Sequence, residues 1–391
     1  MRLFRAVEAH GGALRFVGGC VRDALMGREV FDIDLATDLS PDELVEACEE
    51  NGLKTVPIGI KFGTVGVMID DTPVEVTSLR KDIKSEDGRH PVVEFTDNWE
   101  VDASRRDLTI NAVYADEKGN VFDYYDGIKD LEQGIVRFIG NPDQRIKEDY
   151  LRILRFFRFY SLFSKTPVDS KALKACIDNK DGLARLSAER IREELYKFLE
   201  TPKAAEIVKI MIDNGIWSSI LPKPDYLDKL DFLVQMTEKT QLSNKFLRRL
   251  FAMYYPNKEM ALNLATRLKM SKKQKEIFIG FTEVKATVAD FTEERKRREL
   301  VYRYGKEFAR DKFLLQMAYD GNVVPDYMKI IQEIMEMAVP VFPIKGRDLI
   351  ALGVADSKLI GSTLNRLEEK WIKSGFMMSR EELLEIATGD K

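Results

Sequence analysis

The chain has 391 residues and 45% hydrophobic content, enough to bury a large core in two or three domains. No apolar run approaches the roughly 18 residues of a membrane span, and Met1-Arg2-Leu3-Phe4-Arg5 lacks the continuous apolar stretch of a signal peptide. Three scattered cysteines and two histidines argue against a disulfide framework or a structural zinc site, and the net charge of −4 is uneven: residues 1–140 hold 16 basic and 28 acidic side chains, and the remainder 45 and 37. A reduced, cytoplasmic enzyme is expected, its acidic half suited to metal ions and its basic half to a polyanion.

From the N-terminus, the apolar run Leu14 to Val17 reads as a strand that ends in Gly18-Gly19. Val21-Arg22-Asp23 open a helix that Gly27 can close. A second strand then carries Asp32 and Asp34, and strand alternation predicts both carboxylates on one face with Phe31, Ile33 and Leu35 facing the core. Ser40-Pro41-Asp42-Glu43 is a capping-box helix start, and Asn51-Gly52 is its stop. Thr64 to Asp70 and Val74 to Leu79 read as a hairpin turning at Asp70-Asp71-Thr72-Pro73. Glu75 points away from the Val74/Val76 face and is a candidate third carboxylate; a solvated strand residue is the plainer reading. Residues 80–100 are polar and punctuated by glycine and proline, which predicts a mobile loop. Beyond residue 141 the periodicity is helical throughout.

Three clusters carry chemistry. Glycine amides and Arg22 suit a triphosphate, and Asp32 and Asp34 suit two Mg²⁺ ions for phosphoryl transfer, although a lone Asp-x-Asp is commonly just a surface feature. Arg105-Arg106-Asp107 precede an apolar and small-residue run, a position that suits an arginine aimed at a nucleotide, with Asp107 or Asn111 holding a sugar hydroxyl or bracing the loop. In Glu148 to Arg158 a helical wheel gathers Tyr150, Ile153, Leu154, Phe157 and Tyr160 on a buried face, with Asp149, Arg152 and Arg155 opposite. Asp149 and Arg152 are an i,i+3 ion pair on the plainer reading. On the sharper one they read a base edge, accepting from an exocyclic amine and donating to a ring nitrogen, which admits C and A and rejects G and U.

These motifs together resemble the class II, bacterial-type tRNA nucleotidyltransferases, the CCA-adding family within the polymerase β-like superfamily that also holds poly(A) polymerases. The resemblance rests on Gly18 to Asp23 with Asp32-Ile33-Asp34, on Arg105 to Ala112, on Glu148 to Arg152 and on Arg190 to Glu194, and more weakly on Gly346 to Gly361. It implies an α+β fold: a small mixed-sheet catalytic head (1–140), then an all-helical neck (141–200), body (201–270) and tail (271–391). It implies Asp32 and Asp34 as metal ligands, with Gly19 and Arg22 on the nucleotide's phosphates. Arg106, Asp149, Arg152, Arg155 and Arg158 take nucleotide-binding positions, and Arg190 and Glu194 brace the neck.

The partners implied are CTP, ATP and the acceptor stem and 3′ end of tRNA, with no membrane and no protein partner evident. Phe62 and Leu108 depart from the family's usual histidine and phenylalanine without touching these assignments. A loop from Asp82 to Val93 favours a full CCA-adding enzyme over one that adds only CC. A poly(A) polymerase or an A-only enzyme is the nearest alternative. A non-catalytic RNA-binding protein and a small-molecule nucleotidyltransferase are the others, and two lone histidines provide no His-Asp phosphohydrolase cluster.

Overall fold

A computed structural model describes residues 2–83, 92–238, 242, 245–353 and 357–389, in two compact units, Met1–Lys223 and Pro224–Lys391. The expected body, 201–270, spans the boundary between them. Most of the Asp82 to Val93 loop lies outside the described residues.

The first unit begins with α1 (Arg2–Ala9), β1 (Leu14–Val17), α2 (Gly19–Leu25), β2 (Asp34–Thr37) and α3 (Pro41–Glu50). Helix α3 starts where its capping box predicts: Ser40 Oγ accepts from the Glu43 amide and the Glu43 carboxylate accepts from the Ser40 amide. β3 (Thr55–Gly59), β4 (Thr64–Ile69) and β5 (Thr72–Ser78) follow. Asp70 and Asp71 alone form the β4–β5 turn, at φ 47° and 63°, the left-handed pair of a tight two-residue hairpin.

The described parts of the polar segment 80–100, residues 80–83 and 92–100, are regular. β6 (Arg80–Ile83) and β7 (Val92–Phe95) pair antiparallel, and Asn98 caps α4 (Trp99–Ser104) by accepting from the Glu100 and Val101 amides. β8 (Val113–Ala115), β9 (Val121–Asp123) and α5 (Gly127–Gln133) complete the head.

Seven strands form one sheet in the order β3-β4-β5-β2-β1-β8-β9, with β2 and β5 parallel and the other neighbours antiparallel. Alternation along β2 sends Leu35 into a core with Leu3, Val7 and Leu44, and Ala36 into a second core with Leu79, Ala112 and Tyr114. Both faces are thus covered, and the central strands are fixed in register. Fully burying a side chain such as Leu44 is worth about 1.5–3 kcal/mol.

The rest of this unit is helical: α6 (Pro142–Glu148), α7 (Leu151–Phe163), α8 (Ser170–Asp178), α9 (Ala188–Leu199) and α10 (Ala204–Asp213). Helix α7 is buried nearly all round, Phe156 and Phe159 included, and packs against α9. It is a central rod rather than the two-sided helix that the wheel predicts.

The second unit contains helices only among its described residues. Its fifteen-residue central helix is Lys306–Asp320, whose Phe313, Leu314, Leu315 and Met317 are fully buried and whose Asp311 pairs with the buried Arg248. A smaller core near the C-terminal end joins Ile344, Leu349, Leu367, Trp371 and Leu383.

Candidate active site

The first wall of the site is the turn from β1 into α2. Gly18 sits at φ 75°, ψ −122°, backbone that a side chain would strain, and Gly19 begins the helix. Arg22, one turn on, is buried. Its Nε and Nη2 donate to Asp23 at 3.0 and 2.8 Å and its Nη1 to Asn111 Oδ1 at 2.5 Å, and the guanidinium lies 4.7 Å from the Phe163 ring centre. These contacts hold the guanidinium from three sides.

β2 begins only at Asp34, so the alternation expected for Phe31 to Leu35 fails at its start. Phe31 and Ile33 are exposed rather than in the core, because residues 28–33 are irregular and only Leu35 lies within a paired strand. Burial pushes the Asp34 carboxyl upward; Arg106 opposes this and Asp32 adds to it. Glu75 pairs in register with Asp34 across the parallel β2–β5 ladder, on the same face, but is exposed. Among the described residues no three carboxylate, histidine or cysteine groups cluster as a preformed metal cage. Two hard carboxylates that gain from a neighbouring cation still fit Mg²⁺, which takes one or two protein oxygens and completes its shell with phosphates and water.

The second wall is built on Asp102, which the sequence reading passed over. This carboxylate, 1% exposed, accepts from Arg105 Nε at 2.7 Å, Arg106 Nη2 at 3.1 Å and Tyr114 Oη at 2.7 Å. Its i,i+3 and i,i+4 spacing to Arg105 and Arg106 was the available signal. Burial pushes its pKa up, but Arg106, Arg105 and the Tyr114 hydroxyl together outweigh this and hold it below the usual carboxylate range. Asp107 is also buried, and burial is again outweighed, here by Arg155 at 2.6 Å and by bonds from Asn111 and the Leu108 amide.

The third wall comes from α6 and α7, and here one expectation is corrected. The two helices are not continuous: Asp149 is extended at φ −152°, ψ 107°, and its Oδ1 accepts from the Leu151 amide. Asp149 and Arg152 therefore make no i,i+3 ion pair. Arg152 Nη1 donates to Glu148 at 2.6 Å, one helical turn back, and its Nη2 to the Arg105 carbonyl at 3.0 Å. Asp149 Oδ2 accepts from Arg190 at 2.7 Å, and Glu194 lies 2.8 Å from Arg158, both nearly buried. Tyr150 packs its ring on Gly182, where an added Cβ would fall 2.0 Å from a ring carbon.

These walls enclose a cleft of about 530 Å³, within the range of small-ligand sites. Gly19, Arg22, Asp32, Asp34, Arg106, Asp149, Arg152, Arg155 and Arg158 all line it. Glu75, Arg190 and Glu194 do not. Phe31, Phe159, Arg105 and Asn111 also line it; Phe31 was expected in the core from strand alternation, which is blind to an irregular segment.

Comparison with known proteins places these features in context. A family described as the poly A polymerase head domain matches residues 14–137, and one described as a probable RNA and SrmB-binding site of polymerase A matches 167–227. The mitochondrial CCA tRNA nucleotidyltransferase 1 of Mus musculus is 35% identical over 381 residues, 95% of this chain and 85% of the relative. The CCA-adding enzyme of Ligilactobacillus salivarius is 30% identical over 394 residues, 98% of this chain and 94% of its own. Among solved structures, the Bacillus stearothermophilus CCA-adding enzyme in complex with CTP superposes with a TM-score of 0.75 at 24% identity, covering 95% of this chain and 91% of that one. The Thermotoga maritima CCA-adding enzyme complexed with tRNA gives 0.63 at 21% identity, over 99% and 93%. Both share the α+β architecture described above.

Proposed function

The chain belongs to the CCA-adding tRNA nucleotidyltransferase family, and on that premise we propose that it adds C, C and A to the 3′ end of tRNA from CTP and ATP without a nucleic-acid template. The acceptor's 3′-hydroxyl attacks the α-phosphorus, a P–O bond forms, the bond to the β-phosphate breaks and pyrophosphate leaves with the hydroxyl proton passed to solvent. The observation that carries this reading is that Asp32 and Asp34, on one wall, share a cleft with Asp149 and Arg152, more than a hundred residues on.

The roles of individual residues follow from what each can donate or accept. Gly19 and Arg22 hold the phosphates, and the Asp23 and Asn111 contacts keep the Arg22 guanidinium from turning away. Asp149 and Arg152 present an acceptor and a donor to the base. The Asp149–Arg190 pair is partly exposed, with side chains 33% and 47% accessible, so it is worth at most about 1 kcal/mol and a base can displace it. Arg155 and Arg158 act chiefly through Asp107 and Glu194, which fix the wall behind the base. Two Mg²⁺ ions held by Asp32 and Asp34, with Glu75 beside them, would neutralise charge on the transferring phosphoryl group and its leaving pyrophosphate.

Residues 1–140 are assigned as the catalytic head and 141–200 as the base-reading neck, with 201–270 and 271–391 as body and tail that hold tRNA by shape and phosphates. No described helix is long and apolar enough to cross a membrane, and Cys20, Cys48 and Cys176 are free and buried, which supports a reducing cytoplasmic setting.

The test is the product sequence from tRNA lacking its last three nucleotides, supplied with Mg²⁺, CTP and ATP. Addition of CCA is expected. A run of A, addition of CC alone, or addition of A only to CC-ended tRNA would replace the reading with a poly(A) polymerase, a CC-adding or an A-adding enzyme. No incorporation of labelled CTP or ATP would remove the enzymatic reading altogether.

A further inference from the structure

Phe31 stands out in the cleft. It is 81% exposed, more than any other aromatic side chain among the described residues, and it immediately precedes Asp32. Val30, Ile33 and Leu25 around it in sequence are exposed as well, at 37%, 48% and 44%. The segment is anchored on both sides. The Arg28 amide donates to the Asp23 carbonyl at 2.9 Å, the Arg28 guanidinium donates to the Leu162 carbonyl at 3.3 Å and lies over Phe163, and β2 pairs from Asp34 onward. An apolar ring is thus presented to solvent from a tethered loop beside the reactive carboxylates.

The cleft's other aromatic is already occupied. Phe159 is buried, and the guanidinium carbons of Arg22, Arg155 and Arg158 lie 5.1, 5.4 and 4.3 Å from its ring centre. Of the aromatics lining the cleft, Phe31 alone offers a ring face to a base. The incoming nucleotide's base is assigned to Asp149 and Arg152 and its phosphates to Gly19 and Arg22. What remains to be held near Asp32 and Asp34 is the acceptor, whose terminal base lies within one nucleotide of the attacking hydroxyl.

We propose that Phe31 is a stacking platform for the 3′-terminal base of the acceptor RNA. The proposal rests on the nucleotidyltransferase reading above and adds the residue that positions the second substrate. Stacking suits the task chemically. Every base has a π-face, so a ring tolerates a terminal base that changes after each addition, which a hydrogen-bonding side chain would not. Phe31 is a positioning residue: it orients the hydroxyl without touching the transferring phosphate.

The test uses the full chain with Phe31→Ala, Phe31→Leu and Phe31→Trp. Exposure of the ring in the free protein means that none of these changes removes core packing. Loss of stacking in Phe31→Ala is expected to raise the KM for acceptor tRNA roughly ten- to hundredfold while the KM for CTP moves little. Phe31→Leu should behave like Phe31→Ala, and Phe31→Trp should restore the wild-type value. An acceptor ending in 2-aminopurine should change fluorescence on binding to wild type and Phe31→Trp, and lose that change in Phe31→Ala. An unchanged acceptor KM and unchanged fluorescence in Phe31→Ala overturn the proposal, as does a rise confined to the nucleotide KM. A wild-type chain that fails to extend any acceptor brings down the functional reading itself, and this one with it.

Discussion

Asp102→Asn tests whether the wall around Arg106 is held together by a buried charge. Asp102 is 1% exposed and accepts from both Arg105 and Arg106, whose side chains are 15% and 19% exposed. Removing one partner of a buried pair leaves the other charge uncompensated and costs about 3–5 kcal/mol, and an asparagine that keeps some of the hydrogen bonds should lie at the lower end of that range. The pH dependence supplies an independent check. The folded-state pKa of Asp102 is depressed, so its contribution is fully present above the unfolded value of about 3.9 and is lost as pH falls through the lower folded value. The gap between wild type and variant should therefore be constant near neutrality and narrow below about pH 4. Urea unfolding followed by ¹⁹F NMR of fluorotryptophan-labelled protein isolates this region, because Trp99 packs edge-on against Tyr114 at 5.4 Å and gives its own signal. A gap under about 1 kcal/mol at pH 7, the range of an exposed pair, or one that does not change on acidification, would refute the reasoning.

Asp32→Asn and Asp34→Asn should each lower the rate of CMP addition on the order of a thousandfold, from the loss of several kcal/mol of transition-state charge stabilisation, with tRNA retention on a filter unchanged. Arg152→Ala should erode discrimination between CTP and UTP by roughly ten- to a hundredfold in kcat/KM, the worth of one donor–acceptor base contact; a slow variant that still rejects UTP would count against base reading. Gly182→Ala drives a methyl into the Tyr150 ring, so the chain should lose about 1–3 kcal/mol of stability by overpacking and show a raised nucleotide KM from displacement of the adjacent Asp149. Arg158→Met should be better tolerated in stability measurements than Glu194→Gln only if the charge of Glu194 finds another partner; equal losses of about 3–5 kcal/mol identify the pair as the supporting element.

Local signals were readable because their partners lie within a few residues. The capping box at Ser40 and Glu43 and the Asp70-Asp71 turn need only neighbouring backbone groups, and both form as the residue types dictate. The helical character after residue 141 was legible for the same reason. Three features were not. The Phe31-to-Leu35 alternation looked like a strand, but pairing with β5 starts at Asp34, and an unpaired segment has no alternation to obey. The i,i+3 spacing of Asp149 and Arg152 looked like one helix. Asp149 instead bonds the Leu151 amide and breaks the helix, which moves Arg152 onto Glu148. Asp102 was overlooked because its importance lies in three partners converging on it, one of them twelve residues away on β8.

On the proposed function, the arrangement accounts for how one cleft could hold a reaction and a choice contributed by separate parts of the chain. The aspartates sit at and just before the start of the central strand β2, and Asp149 and Arg152, proposed to face the base, sit at a break between two helices; nothing in either element sets the distance between them. The segment Arg105-Arg106-Asp107 does. Arg145 and Arg152 donate to the Arg105 carbonyl, Arg145 also to that of Arg106 at 2.5 Å, and Asp107 takes Arg155. Asn111, four residues on, holds Arg22 beside the glycine turn. One short stretch thus binds the helices through its carbonyls and Asp107, and the glycine turn and Arg22 through Asn111. Asp107 and Asn111 are both buried, and a buried polar group left unpaired costs about 1–3 kcal/mol. Selectivity and rate should therefore fall together when Asp107 or Asn111 is changed, although neither side chain needs to touch a base or a metal ion.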